Sequence, residues 1–227
     1  MSDKCMAELS KAWLIAANTH GYSYNFQWLG VKVIQFPQDM MAMQEIVWKV
    51  KPDLIIETGV AKGGMLIFYA SLLELLGGNG LALGVEIELR PDSRSIIRDH
   101  PMAKRIQIIE GSSTSPEVVS MAADIARNYD RVIVCLDSSH EHAHVLQELR
   151  LYSPLVRKAG YVVVFDTAVD DMPADFFPDR PWGPGNSPKT AVAEFLKTNN
   201  RFAIDRSLEE KLLVTTNPNG YLLCVKD

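Results

Sequence analysis

The 227-residue sequence has few cysteines and no excess of basic residues. The three cysteines, Cys5, Cys135 and Cys224, are odd in number and far apart, which argues against a disulfide framework. The 23 Lys and Arg residues are outnumbered by 28 Asp and Glu residues, giving a net charge of -5. Because proteins that bind nucleic acid usually carry a basic excess, we expect no nucleic-acid partner.

Signals for membrane insertion and export are also missing. No apolar run reaches the roughly 20 residues that span a bilayer, so no transmembrane segment is expected. The first residues, MSDKCMAELSKAW, lack the apolar core of a signal peptide, and we expect a cytoplasmic location. The composition, 47% hydrophobic and 22% charged, is ordinary for a globular protein, and the length suggests one domain, or one domain with a small appendage.

The sequence does contain a regular alternation of apolar runs and amphipathic stretches. Short apolar runs separated by helical stretches are typical of a parallel sheet that is buried on both faces. Five such runs occur, at 54–56, 81–85, 106–109, 132–136 and 161–165. The prediction is a mostly parallel α/β sheet with helices on both faces.

Three further strands are expected near the C-terminus, at 202–204, 211–215 and 221–225. The residues Asn217 to Gly220 are typical of a hairpin turn joining the last two of them. The sheet is therefore predicted to end in antiparallel strands.

The N-terminal part of the chain differs from the rest. Residues 1–38 are predicted to form a helical extension and a substrate-side segment, and residues 39–227 the main domain. Asp39 is expected to cap a helix that starts at Met40. Segment 167–188 contains five prolines and is too long for an ordinary connection, which indicates an active-site loop.

The stretch from Asp53 to Gly64, DLIIETGVAKGG, runs from an apolar strand through a glycine-rich turn into a helix. Glycine lets a backbone approach a ligand closely, and a helix N-terminus offers free N–H groups. The spacing G-x-x-x-G-G matches neither the dinucleotide motif nor the phosphate-binding loop, and it disfavours both. The alternative is a tight turn that binds nothing.

Polar residues follow the next two apolar runs. Glu86 ends the second run, where an acid can accept hydrogen bonds from both hydroxyls of a ribose, unless it is simply solvated. Ser112 lies in the loop after the third run, which either touches an adenine ring or only turns the chain.

The fourth and fifth runs end in Asp137 and Asp166, on the same sheet edge as Gly59. Two carboxylates beside a ligand site suit Mg²⁺, although each could instead cap the next turn. His140 and His144 are spaced by four residues, which leaves a transition-metal site as a weaker alternative. His140 is a candidate general base, because histidine changes its protonation state near neutral pH.

Together these motifs resemble the class I S-adenosylmethionine-dependent methyltransferases, and among them the cephalosporin hydroxylase / sugar O-methyltransferase family. The resemblance covers roughly residues 28–225 of the chain. The matching stretches are KPD at 51–53, ETGVAKGG at 57–64, LDSSH at 136–140, VVFDT at 163–167, DMP at 171–173 and WGPGNSP at 182–188.

The resemblance implies a Rossmann-like sheet that holds S-adenosylmethionine, with Glu86 on its ribose and Ser112 near its adenosine. The other residues that it implies for cofactor binding are Glu57, Gly59, Val60, Ala61, Gly63, Gly64 and Asp137.

It also implies a Mg²⁺ site with Asp137 and Asp166 as ligands. Some relatives carry two adjacent acids at the end of the fifth strand, where this chain has Phe165 before Asp166. His140 or water would complete the shell.

The predicted reaction is methyl transfer from S-adenosylmethionine to a hydroxyl of a sugar, glycoside or polysaccharide precursor. Asp137 and His140 are the predicted catalytic residues, and the partner is a small-molecule or glycan acceptor. Two alternatives are an iron-dependent oxygenase and a non-catalytic S-adenosylmethionine-binding subunit of a partner enzyme. The N-terminal helix would pack on its own domain or on a second subunit, so a homo-oligomer is among the expected assemblies.

Overall fold

The computed structural model describes residues 3–227. Its helices are α1 (Asp3–Thr19), α2 (Pro37–Val50), α3 (Gly64–Leu76), α4 (Pro91–Asp99), α5 (Pro116–Ala126), α6 (His142–Tyr152), α7 (Pro188–Thr198) and α8 (Arg206–Leu212). Its strands are β1 (Gln27–Trp28), β2 (Val31–Lys32), β3 (Leu54–Thr58), β4 (Leu81–Glu86), β5 (Ile106–Glu110), β6 (Val132–Leu136), β7 (Tyr161–Val164), β8 (Phe202–Ile204) and β9 (Tyr221–Cys224).

Seven of these strands form one sheet in the order β5-β4-β3-β6-β7-β9-β8. The five strands from β5 to β7 are parallel, and β9 runs antiparallel to both β7 and β8. Chain order reverses between β3 and β6, which creates the switch point beside which ligands bind in open α/β sheets. The predicted mostly parallel sheet with antiparallel C-terminal strands is confirmed.

Alternate side chains of each central strand enter different helical layers. All five residues of β3 are buried. Ile55 packs in a cluster with apolar residues of α2 and α3, whereas Leu54 and Ile56 pack with residues of α5, α6 and α7. Burial on both faces explains why the strands read as continuous apolar runs, and it confirms helices on both sides of the sheet.

The chain before α2 packs over the carboxyl edge of the sheet. Leu14 and Ala17 of α1 share a cluster with Phe36, Ala168 and Met172, so this segment contacts the region that follows β7. Strands β1 and β2 form a separate two-stranded antiparallel sheet. The division into residues 1–38 and 39–227 stays a prediction.

The predicted strand at 211–215 is wrong. Residues up to Leu212 belong to α8, whose first turn is capped by the Asp205 carboxylate, which accepts a hydrogen bond from the Leu208 N–H at 3.4 Å. The turn at 217–220 is present, with a hydrogen bond from the Gly220 N–H to the Asn217 carbonyl at 2.8 Å. It leads into β9, which pairs with β7 and β8 instead of forming a hairpin.

Asp39 is not the N-cap that the sequence predicted. Helix α2 begins at Pro37, with Phe36 as the N-cap, and Asp39 lies fully buried in the first turn. Its carboxylate accepts hydrogen bonds from the Thr216 N–H at 2.9 Å and the Tyr221 hydroxyl at 2.7 Å. Burial raises the pKa of Asp39, and these hydrogen bonds oppose the increase. The residue ties α2 to the segment that precedes β9.

No helix within residues 3–227 combines the length and apolar character needed to cross a membrane.

Candidate active site

The glycine-rich turn after β3 allows two close backbone approaches. Gly59 has a φ of 86°, and a Cβ atom there would lie 2.2 Å from the Asp137 carbonyl oxygen. At Gly64, the first residue of α3, a Cβ would lie 2.1 Å from the Lys32 carbonyl oxygen. A side chain at either position would push the neighbouring backbone away. The turn therefore brings β3, the Asp137 backbone and β2 together.

Glu86 holds this turn from the end of the adjacent strand β4. One carboxylate oxygen accepts hydrogen bonds from the backbone N–H groups of Val60 at 2.8 Å and Ala61 at 2.9 Å. The other oxygen accepts from the Ile87 N–H at 3.0 Å. An acid at this position thus fixes the turn and faces the adjacent cavity.

We call that cavity, of about 210 Å³, the cofactor-side cavity. It extends along the carboxyl ends of β3, β4, β5 and β6. Of the predicted cofactor residues, it is lined by Gly59, Ala61, Glu86, Ser112 and Asp137. Further lining residues that the sequence did not single out for this role are Ser113, Ser138, Ser139 and His144.

Glu57, Val60 and Gly64 border a neighbouring hole of about 30 Å³, together with Gln35 and Asp137. Glu57 is 1% exposed, and its Oε2 has no hydrogen-bond partner within residues 3–227. Burial, and then the negative charge of Glu86, raises the pKa of Glu57 well above its usual range. Because a buried, unpartnered carboxylate is costly, this hole favours a cationic or hydrogen-bond-donating group.

Gly63, also predicted to bind the cofactor, lies one residue before α3. It lines neither the cofactor-side cavity nor the small hole.

Asp137, His140 and Asp166 form the one cluster within residues 3–227 whose His, Cys, Asp or Glu side chains could share a metal ion. One ligand atom from each lies within 4.8 Å of the others. His140 Nε2 is 3.3 Å from Asp166 Oδ2. Phe165 is 1% exposed and supplies no donor. Two carboxylates with an imidazole are a donor set that fits a divalent cation, and Mg²⁺ usually takes one or two protein carboxylates and water.

Asp137 lies where the two sides of the site meet. Burial, and then the negative charges of Asp166 and Glu57, raises its pKa well above the usual range. Gln35, itself 3% exposed, donates a hydrogen bond from Nε2 to Asp137 Oδ2 at 3.0 Å. Gln35 was missed because it follows an irregular segment with no periodic signal. A cation beside Asp137 would offset the repulsion between these carboxylates.

A second space, the acceptor-side cavity, has a volume of about 410 Å³. His140 and Asp166 lie in its wall, and Gln35 borders it as well as the small hole beside Glu57. The remaining wall comes from distant segments and includes five aromatic residues, Tyr24, Phe36, Phe176, Phe177 and Trp182. A volume in this range accommodates a small organic ligand.

The predicted active-site loop is closed at its base by Asp170. Its Oδ1 accepts hydrogen bonds from the Gly185 N–H at 2.8 Å and the Ser187 hydroxyl at 2.9 Å. Trp182 packs edge-to-face on His140, with ring centroids 4.9 Å apart. The loop therefore brings an aromatic side chain directly onto the candidate base.

The two histidines spaced by four residues do not share a site. Helix α6 begins at His142, so His140 precedes the helix and faces Asp166. His142 contacts Thr190 at 2.8 Å and Glu194 at 3.2 Å, on the side of α7. His144 contacts Ser113 and Ser138 at the cofactor-side cavity. Because the helix begins after His140, His140 and His144 do not share a helix face as the weaker alternative required.

The doubly wound sheet, with a glycine turn after its central strand and an acid at the end of the next, is the Rossmann-like arrangement that the resemblance to class I methyltransferases implied. Comparison with known sequences identifies the group within this class. The family model described as "Rhamnosyl O-methyltransferase/CmcI" matches residues 20–225. The chain belongs to this family. The resemblance inferred from the motifs is thereby confirmed, and so is the prediction of an O-methyltransferase.

Curated relatives match over most of their length. The rhamnosyl O-methyltransferase of Mycobacterium tuberculosis (strain ATCC 25618 / H37Rv) is 28% identical, covering 92% of this chain and 84% of the relative. The protein of the same name from Mycobacterium leprae (strain TN) is 29% identical, covering 92% of this chain and 90% of the relative.

Solved structures show the same fold. CmcI in its apo form has a TM-score of 0.65 at 16% identity, covering 90% of this chain and 78% of that chain. CmcI with Mg and SAM has a TM-score of 0.64 at 17% identity, covering 89% and 77%. MycE, from the mycinamycin biosynthetic pathway, with Mg and SAH has a TM-score of 0.51 at 19% identity, covering 81% and 44%.

Proposed function

We propose that this protein transfers a methyl group from S-adenosylmethionine to a sugar hydroxyl, with assistance from Mg²⁺. The observation that carries the proposal is the meeting of two cavities at one cluster. Asp137 borders the cofactor-side cavity, and His140 and Asp166 border the acceptor-side cavity. Atoms of these three side chains lie within 4.8 Å of one another. A methyl donor in one cavity and an acceptor in the other would face each other across these three side chains.

The family supports this choice of reactants. Its curated members compared above are named rhamnosyl O-methyltransferases, and structures of CmcI and MycE contain Mg together with SAM or SAH. The acceptor proposed here is therefore a sugar, as a glycoside or a polysaccharide precursor, and a rhamnoside is the first one to test.

The residues on the cofactor side bind and orient the methyl donor. Glu86, at the end of β4, is placed to accept hydrogen bonds from the ribose hydroxyls. Glu57 and Asp137 line the small hole, and an ammonium group of the donor beside them would favour the charged form of these carboxyl groups, whose pKa burial raises. Ser112 lies further along the cavity, towards the adenosine. S-adenosylmethionine would supply an activated methyl group: the methyl–sulfur bond breaks as the bond to the acceptor oxygen forms, S-adenosylhomocysteine leaves, and the hydroxyl proton passes to a base.

On the acceptor side, His140 takes that proton. Its Nε2 faces Asp166 at 3.3 Å, and the contact stabilises the ring when it becomes protonated. Trp182 packs against the same ring and helps to exclude water. Asp137 and Asp166 would hold Mg²⁺, which supplies a positive charge that lowers the pKa of a nearby hydroxyl. With His140 acting as the base, water would complete the ligand shell.

The test combines binding and turnover. Calorimetric titration with S-adenosylmethionine should show binding without metal, while NAD should not bind. With methyl-labelled cofactor, label should pass to a rhamnoside, and chelation of divalent cations should reduce the rate. Asp137→Asn should weaken metal binding, because it removes one negative ligand. The concentration of Mg²⁺ needed for activity should therefore rise.

The alternatives give different results in the same assay. Turnover that requires Fe²⁺ and oxygen would indicate the oxygenase. Cofactor binding without methyl transfer to any sugar would indicate a non-catalytic subunit. Failure to bind S-adenosylmethionine would refute the proposal. The cytoplasmic location and a homo-oligomeric assembly stay predictions.

A further inference from the structure

A buried acid behind the wall of the cofactor-side cavity has no part in the mechanism above. Glu148, on α6, is 0% exposed, and its Oε2 has no hydrogen-bond partner within residues 3–227. Its Oε1 accepts a hydrogen bond from the Ser138 hydroxyl at 2.7 Å and lies 3.4 Å from His144 Nε2. Burying a carboxylate this completely is costly. The contacts of Oε1 place the carboxylate beside His144, which lines the cavity wall.

These contacts fix the orientation of the His144 ring. The Ser138 hydroxyl donates a hydrogen bond to Glu148. The Ser138 oxygen can therefore accept a hydrogen bond from His144 Nε2, which lies 3.1 Å away. The Nε2 atom therefore carries a proton. The contact with Glu148 raises the pKa of His144, which agrees with this assignment. Nδ1 makes no hydrogen bond within residues 3–227 and remains available to a ligand.

The position of His144 along the cavity indicates which part of a ligand it would meet. The cavity passes from Gly59 after β3, past Glu86 after β4, to Ser113 after β5, in the spatial order of the strands. His144 Nε2 is 3.2 Å from Ser113 Oγ after β5 and 3.1 Å from Ser138 Oγ after β6, so its ring joins the β5 end of the cavity to the loop after β6. Buried Tyr152 donates a hydrogen bond to the Ser113 carbonyl at 2.8 Å, which fixes that end. If ribose binds at Glu86, the base extends towards His144.

From this geometry we infer that His144, oriented by Glu148 and Ser138, hydrogen-bonds the edge of the adenine ring and selects adenine over other purines. This inference rests on the proposed function, because it assigns a specificity residue to the same cofactor site. The ligand class is an adenine nucleoside thioether or sulfonium. Glu148 acts only through His144, as a positioning residue.

The experiment compares two ligands that differ at the purine, S-adenosylhomocysteine and S-inosylhomocysteine, by calorimetric titration. We expect the wild-type protein to prefer the adenine ligand. His144→Ala should weaken adenine binding by about 5- to 10-fold, the size of one lost hydrogen bond. It should change binding of the inosine ligand by less than about twofold. His144→Gln keeps a hydrogen-bonding group and should restore part of the preference.

The matched control is His142→Ala, two residues away on the same helix, whose side chain faces α7. It should leave both affinities unchanged. Glu148→Gln should reduce the preference for adenine less than His144→Ala does.

Equal weakening of both ligands in His144→Ala, or an unchanged preference, would overturn the inference alone. Failure of the wild-type protein to bind either ligand would refute the proposed function, and this inference with it.

Discussion

The two cavities of the candidate site are built in different ways. The cofactor-side cavity is formed by short turns at the ends of β3 to β6, with small residues such as Gly59, Ala61 and Ser112. The acceptor-side cavity is formed by the N-terminal segment and the proline-rich loop, with large aromatic residues such as Phe36 and Trp182. The first depends on sheet topology and backbone geometry, the second on side chains from distant segments. Substitutions on the two sides should therefore affect different quantities.

The largest expected effect is that of His140→Ala. Loss of a general base should reduce kcat by about 10²- to 10⁴-fold. Affinity for S-adenosylhomocysteine should not change, because His140 lines only the acceptor-side cavity. The measurements are steady-state kinetics and calorimetric titration. His142→Ala is the control and should keep its activity. A kcat within twofold of the wild type in His140→Ala would remove His140 from the mechanism.

Gly59→Ala tests the backbone geometry of the cofactor side. The new Cβ would lie 2.2 Å from the Asp137 carbonyl, in a left-handed conformation with a φ of 86°. We expect the free energy of unfolding to fall by about 1–3 kcal/mol, and cofactor binding to weaken. Chemical denaturation measures the first effect and calorimetry the second. Gly183→Ala, where a Cβ meets nothing within 4 Å, is the control. Equal stability of the two variants would contradict the packing argument.

Trp182→Ala tests the aromatic wall of the acceptor side. Losing the edge-to-face contact with His140 should raise KM for the sugar by about 3- to 10-fold. Affinity for S-adenosylhomocysteine should stay the same. The control is Trp48→Ala, since Trp48 is 60% exposed on α2 and lines neither cavity of the candidate site. A loss of cofactor affinity without a change in KM would show that the two sides are not separable at Trp182.

The smallest expected effect is a pH dependence of stability at His144. The Glu148 contact raises its pKa in the folded state. The contribution to stability is therefore fully present below the unfolded pKa of about 6.5 and is lost as the pH rises through the folded value. His144→Ala should lower the free energy of unfolding more at pH 5.5 than at pH 9. Denaturation curves at both values measure the difference, and an equal loss at both would count against a charged pair.

The sheet and the cofactor side could be predicted because their signals are local. Strands buried on both faces appear as apolar runs, and the glycines between Glu57 and Gly64 indicate the turn. The acid and imidazole cluster followed from topology alone, since the parallel strands β6 and β7 end at the same edge. The structure brings these predicted residues together, while their chemical roles stay predictions.

The errors occurred where distant contacts decide the structure. The stretch at 211–215 suggested a strand, but its first two residues belong to α8, which packs against α2 and ends at Leu212, before Leu213 with a φ of 59°. Asp39 looked like a helix cap because a short acid often is one, yet its partners lie about 176 residues away. Gln35 had no signal, because only the folded chain brings it beside Asp137.

The hydrogen bond from Gln35 to Asp137 has a thermodynamic consequence. Gln35 borders the acceptor-side cavity, and Asp137 borders the cofactor-side cavity. Any ligand that changes this contact on one side changes the free energy of binding on the other. By linkage, the factor by which an acceptor alters cofactor affinity equals the factor by which the cofactor alters acceptor affinity. This single amide therefore makes the coupling between cofactor and acceptor binding a measurable property of the protein.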